Sequence, residues 1–125
     1  MLSRIILFAF FASSANCSDN CNNFHEGIFI YQEGEYKGVK VHRSLSEQTE
    51  IIGDTITAYF FIKWVSDCSY MLIPNKVSYK SKENVLQKDT IKVNIIDVLS
   101  DTSYRYKAIQ KDVATENIMV KVNAY

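Results

Sequence analysis

From residue 24 onward, apolar and polar residues alternate in short segments, and that period of two constrains the fold more than any other feature. Successive side chains on opposite faces can bury one face only as strands. The alternating segments are 24–31, 37–43, 46–52, 55–65, 68–79, 90–99, 103–110 and 117–124, joined mostly by short polar turns. That arrangement is the signature of an antiparallel meander. No sustained helical period is present, and "SKENVLQKD" (81–89) reads as a loop or a single helical turn. With 8 Tyr and 7 Phe against 1 Pro and 4 Gly, the chain has large side chains to pack and few backbone breaks. About eight antiparallel strands with one buried face close most easily as a small barrel or half-barrel, which removes exposed edges. A two-sheet sandwich uses the same alternation and is not separated from a barrel by sequence. An eight-stranded barrel is either filled by side chains or holds one small ligand.

The first 15 residues, "MLSRIILFAFFASSA", have one positive charge at Arg4, an apolar run from Ile5 to Ala12, and then small residues. This is the order of a secretory signal peptide, with cleavage before Asn16 and a single domain over 16–125. Eight apolar residues span only about 12 Å as a helix, against a bilayer core of roughly 30 Å, so no transmembrane segment is expected. The expected location is periplasmic or extracellular. Lys+Arg and Asp+Glu number 14 each. A nucleic-acid binder or a polybasic membrane-surface protein would carry a basic excess, so both classes are set aside.

Export governs how the three cysteines read, because well-placed thiols pair in an oxidising compartment. An odd number leaves one spare. Cys21 precedes the first segment and Cys68 opens the fifth, so joining them would tie the N-terminal stretch to the domain. The closed loop would stabilise by roughly 4 kcal/mol in the chain-entropy model. The plainer alternative keeps both reduced, with Cys68 as a small core residue. Cys17 is either the lipidated first residue of a lipoprotein or a spare thiol. Asn16 before it is a poor fit to the small residue a lipoprotein peptidase prefers, which favours simple secretion.

Two hairpins carry the finer expectations. In "WVSDCSYML" (64–72), a three-residue loop Val65-Ser66-Asp67 sets Trp64 opposite Cys68, Ile62 opposite Tyr70 and Phe60 opposite Leu72, all on one apolar face. In "RSLSEQTE" (43–50), a four-residue loop sets Arg43 opposite Gln48, with Glu50, Val39 and Val41 on the same face. Polar groups on an inner face must be paired or satisfied by a ligand. Arg43 could meet a ligand carboxylate bidentately, while Trp64, Tyr70, Tyr104 and Tyr106 line an apolar cavity. The alternative is an Arg–Glu ladder near the barrel mouth over a filled core.

The runs "CNNFHEGIFIY", "VHRSLSEQTEI", "IKWVSDCSYMLI" and "ENIMVKV" together resemble a family of small exported proteins from Bacteroidetes. The matching positions are Cys21, Phe24, Gly27, Phe29, Arg43, Gln48, Glu50, Trp64, Ser66, Asp67, Cys68, Tyr70, Leu72, Met119 and Lys121. The likeness spans nearly the whole mature chain, and the block from Trp64 to Leu72 is its most specific part. It implies a lipocalin-like or calyx-like β-fold exported to the envelope, and it implies no chemistry. The G-x-W opening of lipocalins is replaced here by Gly27-x-Phe29.

Motifs for catalysis or cofactors are missing. His25 and His42 lie in separate segments without an H-x-x-H or C-x-x-C partner, so they read as exposed strand residues, and neither a metal nor a cofactor is expected. The chain has no P-loop, no G-x-G-x-x-G and no G-x-S-x-G. Asp97 with Asp101, or Glu47 with Glu50, read as ladder and turn residues better than as an acid–base pair. The sequence therefore points to a non-enzymatic barrel with a structural or protein-interaction role. The competing reading is a carrier of a small apolar or amphipathic ligand, and an interior cavity of several hundred Å³ would favour it.

Overall fold

The computed structural model describes residues 21–53, 55–79, 82–85 and 89–122. The predicted signal peptide, its cleavage point and Cys17 lie outside the described residues. A 3₁₀ turn at Cys21–Phe24 leads into β1 (Gly27–Tyr31), and a second, Gly34–Tyr36, precedes β2 (Lys40–Arg43). There follow β3 (Glu47–Ile52), β4 (Ile56–Ser66), β5 (Ser69–Tyr79), β6 (Lys82–Val85), β7 (Ile91–Ser100), β8 (Ser103–Gln110) and β9 (Val113–Val122). Each strand pairs antiparallel with its sequence neighbour, except that β7 pairs with β5 and β6 hangs on the end of β5. Pairing of β1 with β9 completes the circuit. Eight antiparallel strands thus close a barrel, and the ninth is an appendage. No helix among the described residues is long and apolar enough to cross a membrane.

The alternation translates directly into an interior. On β2, Val39 (just before the strand), Val41 and Arg43 are buried while Lys40 and His42 are exposed. Phe29, Phe60, Ile62, Leu72, Val93, Ile95, Tyr104 and Met119 join them in one core. Three boundaries differ from the sequence expectation. Phe24 belongs to the 3₁₀ turn rather than to β1, β9 begins at Val113 rather than near Asn117, and part of the 81–89 stretch forms β6. The single proline, Pro74, sits beside a register shift between β4 and β5, where a missing N–H is tolerated.

The β4–β5 hairpin corrects the predicted register. Trp64 pairs with Tyr70 rather than Cys68, Ile62 with Leu72 and Phe60 with Pro74. Ser66 pairs with Ser69 across a two-residue turn, Asp67-Cys68, and Val65 is bulged out. The bulge absorbs the odd residue that the three-residue loop was meant to absorb. Because the slip is two residues, every side chain keeps its face. It also puts Cys68 in the turn, where its carbonyl accepts from Ile95 N and its side chain forms a disulfide with Cys21 across a sequence separation of 47.

That bond fixes the 3₁₀ turn over one end of the barrel, where Cys21 and Phe24 are fully buried. Phe24 packs on the Tyr104 ring at 4.8 Å. From the adjacent strand β9, Lys121 Nζ donates to the Asn23 carbonyl at 2.7 Å. Its aliphatic stem crosses Gly27, where an added Cβ would lie 2.6 Å from Lys121 Cε. Gly27 also has φ +138°, a conformation that side chains rarely adopt. Gly27→Ala is therefore expected to cost about 1–3 kcal/mol in urea unfolding. A change under about 0.5 kcal/mol, the range of a neutral surface substitution, would remove the role assigned to this crossing.

Candidate functional site: a buried polar network beneath a half-open cavity

The two strands of the β2–β3 hairpin place the polar residues of the interior. Arg43 pairs with Gln48 and Val41 with Glu50 across the ladder. Period two then sends Gln48 and Glu50 inward and leaves Glu47 exposed. On β8 the same alternation sends Tyr104, Tyr106 and Ala108 inward.

Arg43 is 4% exposed and its donors are engaged. Nε donates to Gln48 Oε1 at 2.8 Å, and Nη1 donates to the Phe24 carbonyl at 2.8 Å and to Tyr104 Oη at 3.1 Å. Nη2 donates to Tyr70 Oη at 3.2 Å, and the two phenols lie 3.0 Å apart. The guanidinium also lies over the rings of Phe29, at 4.4 Å, and Tyr70, at 4.8 Å. Burial alone would lower the Arg43 pKa, but the facing phenols of Tyr104 and Tyr70 outweigh it, and the side chain stays protonated. Burial pushes the Tyr70 phenol well above its usual range in turn.

The network continues from Gln48 to Glu50 without a direct Arg–Glu contact. Gln48 Nε2 donates to Glu50 Oε2 at 3.0 Å, and Tyr31 Oη donates to the same oxygen at 2.8 Å. Burial raises the Glu50 pKa, while the bonds from Tyr31 and Gln48 and the charge of Arg43 oppose the rise. Tyr31 is itself pushed up by burial and by Glu50. Among the described residues the one ion pair is Lys111–Asp89 at the surface.

Above this network the barrel is hollow. A cavity of about 470 Å³ runs from Gln48, Glu50 and Tyr70 to a mouth at Tyr36, Ile91 and Val113. Its walls are largely apolar, with Phe60, Leu72, Val93 and Met119 beside the small residues Ala58 and Ala108. Asn117 lines it as well, held by its Nδ2 bond to the Glu33 carbonyl at 3.1 Å. One end of the barrel is sealed and the other is open.

Of the residues singled out from sequence, Gln48, Glu50, Tyr70 and Tyr106 line this cavity. Arg43 and Tyr104 do not, since they lie beneath it in the sealed half. Trp64 is also outside the cavity. It is half-buried at the sealed end, stacked on His25 at 3.7 Å and tilted against Tyr70 at 4.5 Å. Its indole N–H is buried without a hydrogen-bond partner. His25 is thus a partly buried lid over Trp64 rather than an exposed strand residue, and its Nε2 donates to the Asp67 carbonyl at 2.9 Å. The Arg–Glu ladder at a barrel mouth is replaced by a relay through Gln48, with Arg43 at the sealed end. Sequence reasoning passed over Tyr31 and Asn117, although Tyr31 shares the inward parity of Phe29. Among the described residues no cluster of His, Cys, Asp or Glu could hold a metal ion. No protein-family model, curated protein or solved structure matches the chain.

The network yields two expectations. Arg43→Met removes the cation and strands the acceptors of Phe24 and Gln48, so it should cost about 1–3 kcal/mol in urea unfolding. A loss below about 1 kcal/mol would mean that the sealed end does not depend on it. Glu50 behaves oppositely at neutral pH. Its folded pKa lies above its unfolded one, so the folded state keeps a proton that the unfolded state loses between the two values. Stability from this group is full below the unfolded pKa and falls as pH rises through the folded pKa. Glu50→Gln keeps the acceptor for Tyr31 and Gln48 without the charge. It should unfold at higher urea than the parent at about pH 7, with the gap closing toward about pH 4. A gap that widens on acidification would contradict this.

Proposed function

We propose that the protein is an exported, lipocalin-like carrier that binds one small ligand with an apolar body and a polar end. The cavity carries this reading. At about 470 Å³ it falls within the range of single small-molecule sites, about 300–1,000 Å³. Apolar walls ending on a few fixed polar groups are what such a site requires. Ala58 and Ala108 leave space that larger residues at those inward positions would fill. The Cys21–Cys68 bond, the apolar leader of the sequence and the likeness to a small exported Bacteroidetes family support an oxidising compartment. The polar network supports binding in a different way, because its closed end fixes the floor of the cavity before any ligand arrives.

The test is titration with the uncharged fluorescent probe N-phenyl-1-naphthylamine, compared with an Ala108→Trp variant. Ala108 faces the cavity, so the indole should occupy space that is otherwise open. The parent should show one saturable site, and the variant should lose at least about tenfold in affinity, or roughly 1.4 kcal/mol, while its urea unfolding changes little. A parent without saturable enhancement would overturn the carrier and return the barrel to a structural or protein-interaction role.

A further inference from the structure

We propose that the cavity selects cations: its ligand is an amphiphile whose apolar body ends in an ammonium group, bound at Glu50 among the surrounding tyrosines. This rests on the carrier reading and names the ligand class for the same site.

Three observations converge. First, the charged side chains among the described residues of the cavity wall are Glu35, Glu50 and Glu116, all acidic. Glu35 is exposed at the mouth, Glu50 lies at depth, and Glu116 is exposed on β9 opposite Lys107. No cationic residue among those described lines the wall, so a carboxylate ligand would meet like charge at Glu50, whereas a cation would be drawn in.

Second, Glu50 is only half satisfied by the protein. Its Oε2 accepts from both Tyr31 and Gln48, and Oε1 has no hydrogen-bond partner among the described residues. The carboxylate is 8% exposed and gives onto the cavity, so a ligand donor can reach it. An ammonium donor supplies both the hydrogen bond and the opposite charge.

Third, the cation that could have received an acidic ligand is already used. All three Arg43 nitrogens donate to protein acceptors, and the side chain lies behind Tyr70 and outside the cavity wall. What faces the cavity instead is aromatic. Tyr31 has the rings of Tyr36 and Tyr106 at 5.8 and 6.5 Å, and Tyr70 joins them on the wall. Ring faces in that arrangement attract a cation by about 0.5–2 kcal/mol.

The experiment displaces bound N-phenyl-1-naphthylamine with a matched series on one eight-carbon body: octylammonium, octanol and octanoate, at low salt and about pH 8, above the ordinary carboxylate range. Octylammonium should displace at least about tenfold better than octanol, and octanoate should be weakest. In Glu50→Gln the ammonium should fall to within about threefold of the alcohol. Glu35→Gln, an exposed position at the mouth that leaves the interior untouched, should lose a smaller part of the preference. Equal or better displacement by octanol or octanoate would overturn the ligand class and leave the carrier reading standing. An ammonium preference that survives Glu50→Gln undiminished would overturn the role of Glu50. Failure of the naphthylamine probe to bind the parent at all would overturn both readings together.

Discussion

One buried guanidinium organises the sealed half of this barrel. Arg43 is bonded to the 3₁₀ turn through the Phe24 carbonyl, to β3 through Gln48, to β5 through Tyr70 and to β8 through Tyr104. A buried charge of this kind costs several kcal/mol in desolvation unless its donors are met. Here they are met by acceptors from separate parts of the chain, so the charge is tolerated only when all of those parts are in place. The disulfide then acts on a segment that is already located. Its closed loop contributes roughly 4 kcal/mol by restricting the unfolded chain, while the hydrogen bonds define where the 3₁₀ turn sits. Lys121, reaching over Gly27 to the Asn23 carbonyl, fastens the same segment from the last strand.

Sealing one end leaves the other free to be hollow. In the sealed half, Phe24, Phe29, Tyr104 and Val41 are fully buried around Arg43. Toward the opposite end the inward positions of β4 and β8 carry Ala58 and Ala108, and the rings of Tyr31 and Tyr106 stand at the wall. The residues that separate the halves, Gln48 and Tyr70, belong to both. Each makes a hydrogen bond in the network and presents a surface to the cavity. A floor fixed in this way keeps its shape whether or not anything rests on it.

Sequence reached the architecture because the alternation is a backbone property. Period two specifies which residues face inward whatever the partner strand, so the eight barrel strands and the inward placement of Arg43, Gln48 and Glu50 were legible from residues 37–52 and their counterparts. Register was less accessible. Whether an odd residue is absorbed by a longer turn or by a bulge depends on twist and on neighbours outside the hairpin, and Val65 took the second course. Depth along the barrel was not legible at all. Arg43 and Glu50 share a face, but only the closed topology reveals that one lies at the sealed end and the other on the cavity. Trp64 has the parity of a lining residue, yet it stands too near the Asp67-Cys68 turn to reach the hollow half, where it meets His25 instead. The β6 strand escaped because the sequence Lys82–Val85 is short and mostly polar, with no apolar alternation to advertise it.

Glu50 is where local and global preferences disagree. An inward position on a barrel strand favours an apolar residue, and Val41, directly across the ladder, follows that rule. Glu50 instead carries a carboxyl whose burial raises its pKa and one of whose oxygens has no hydrogen-bond partner among the described residues. A leucine of similar reach would fill the wall and carry no such cost, so the acid weakens the fold on which it stands. In the sealed half every nitrogen of the comparable charge donates to the protein, which means that this chain can bury an ion well where structure alone is served. Glu50 instead lies on the cavity wall. Departures from local consistency gather at sites of function rather than at random. In this barrel the departure is Glu50, and it stands on the wall of the open half.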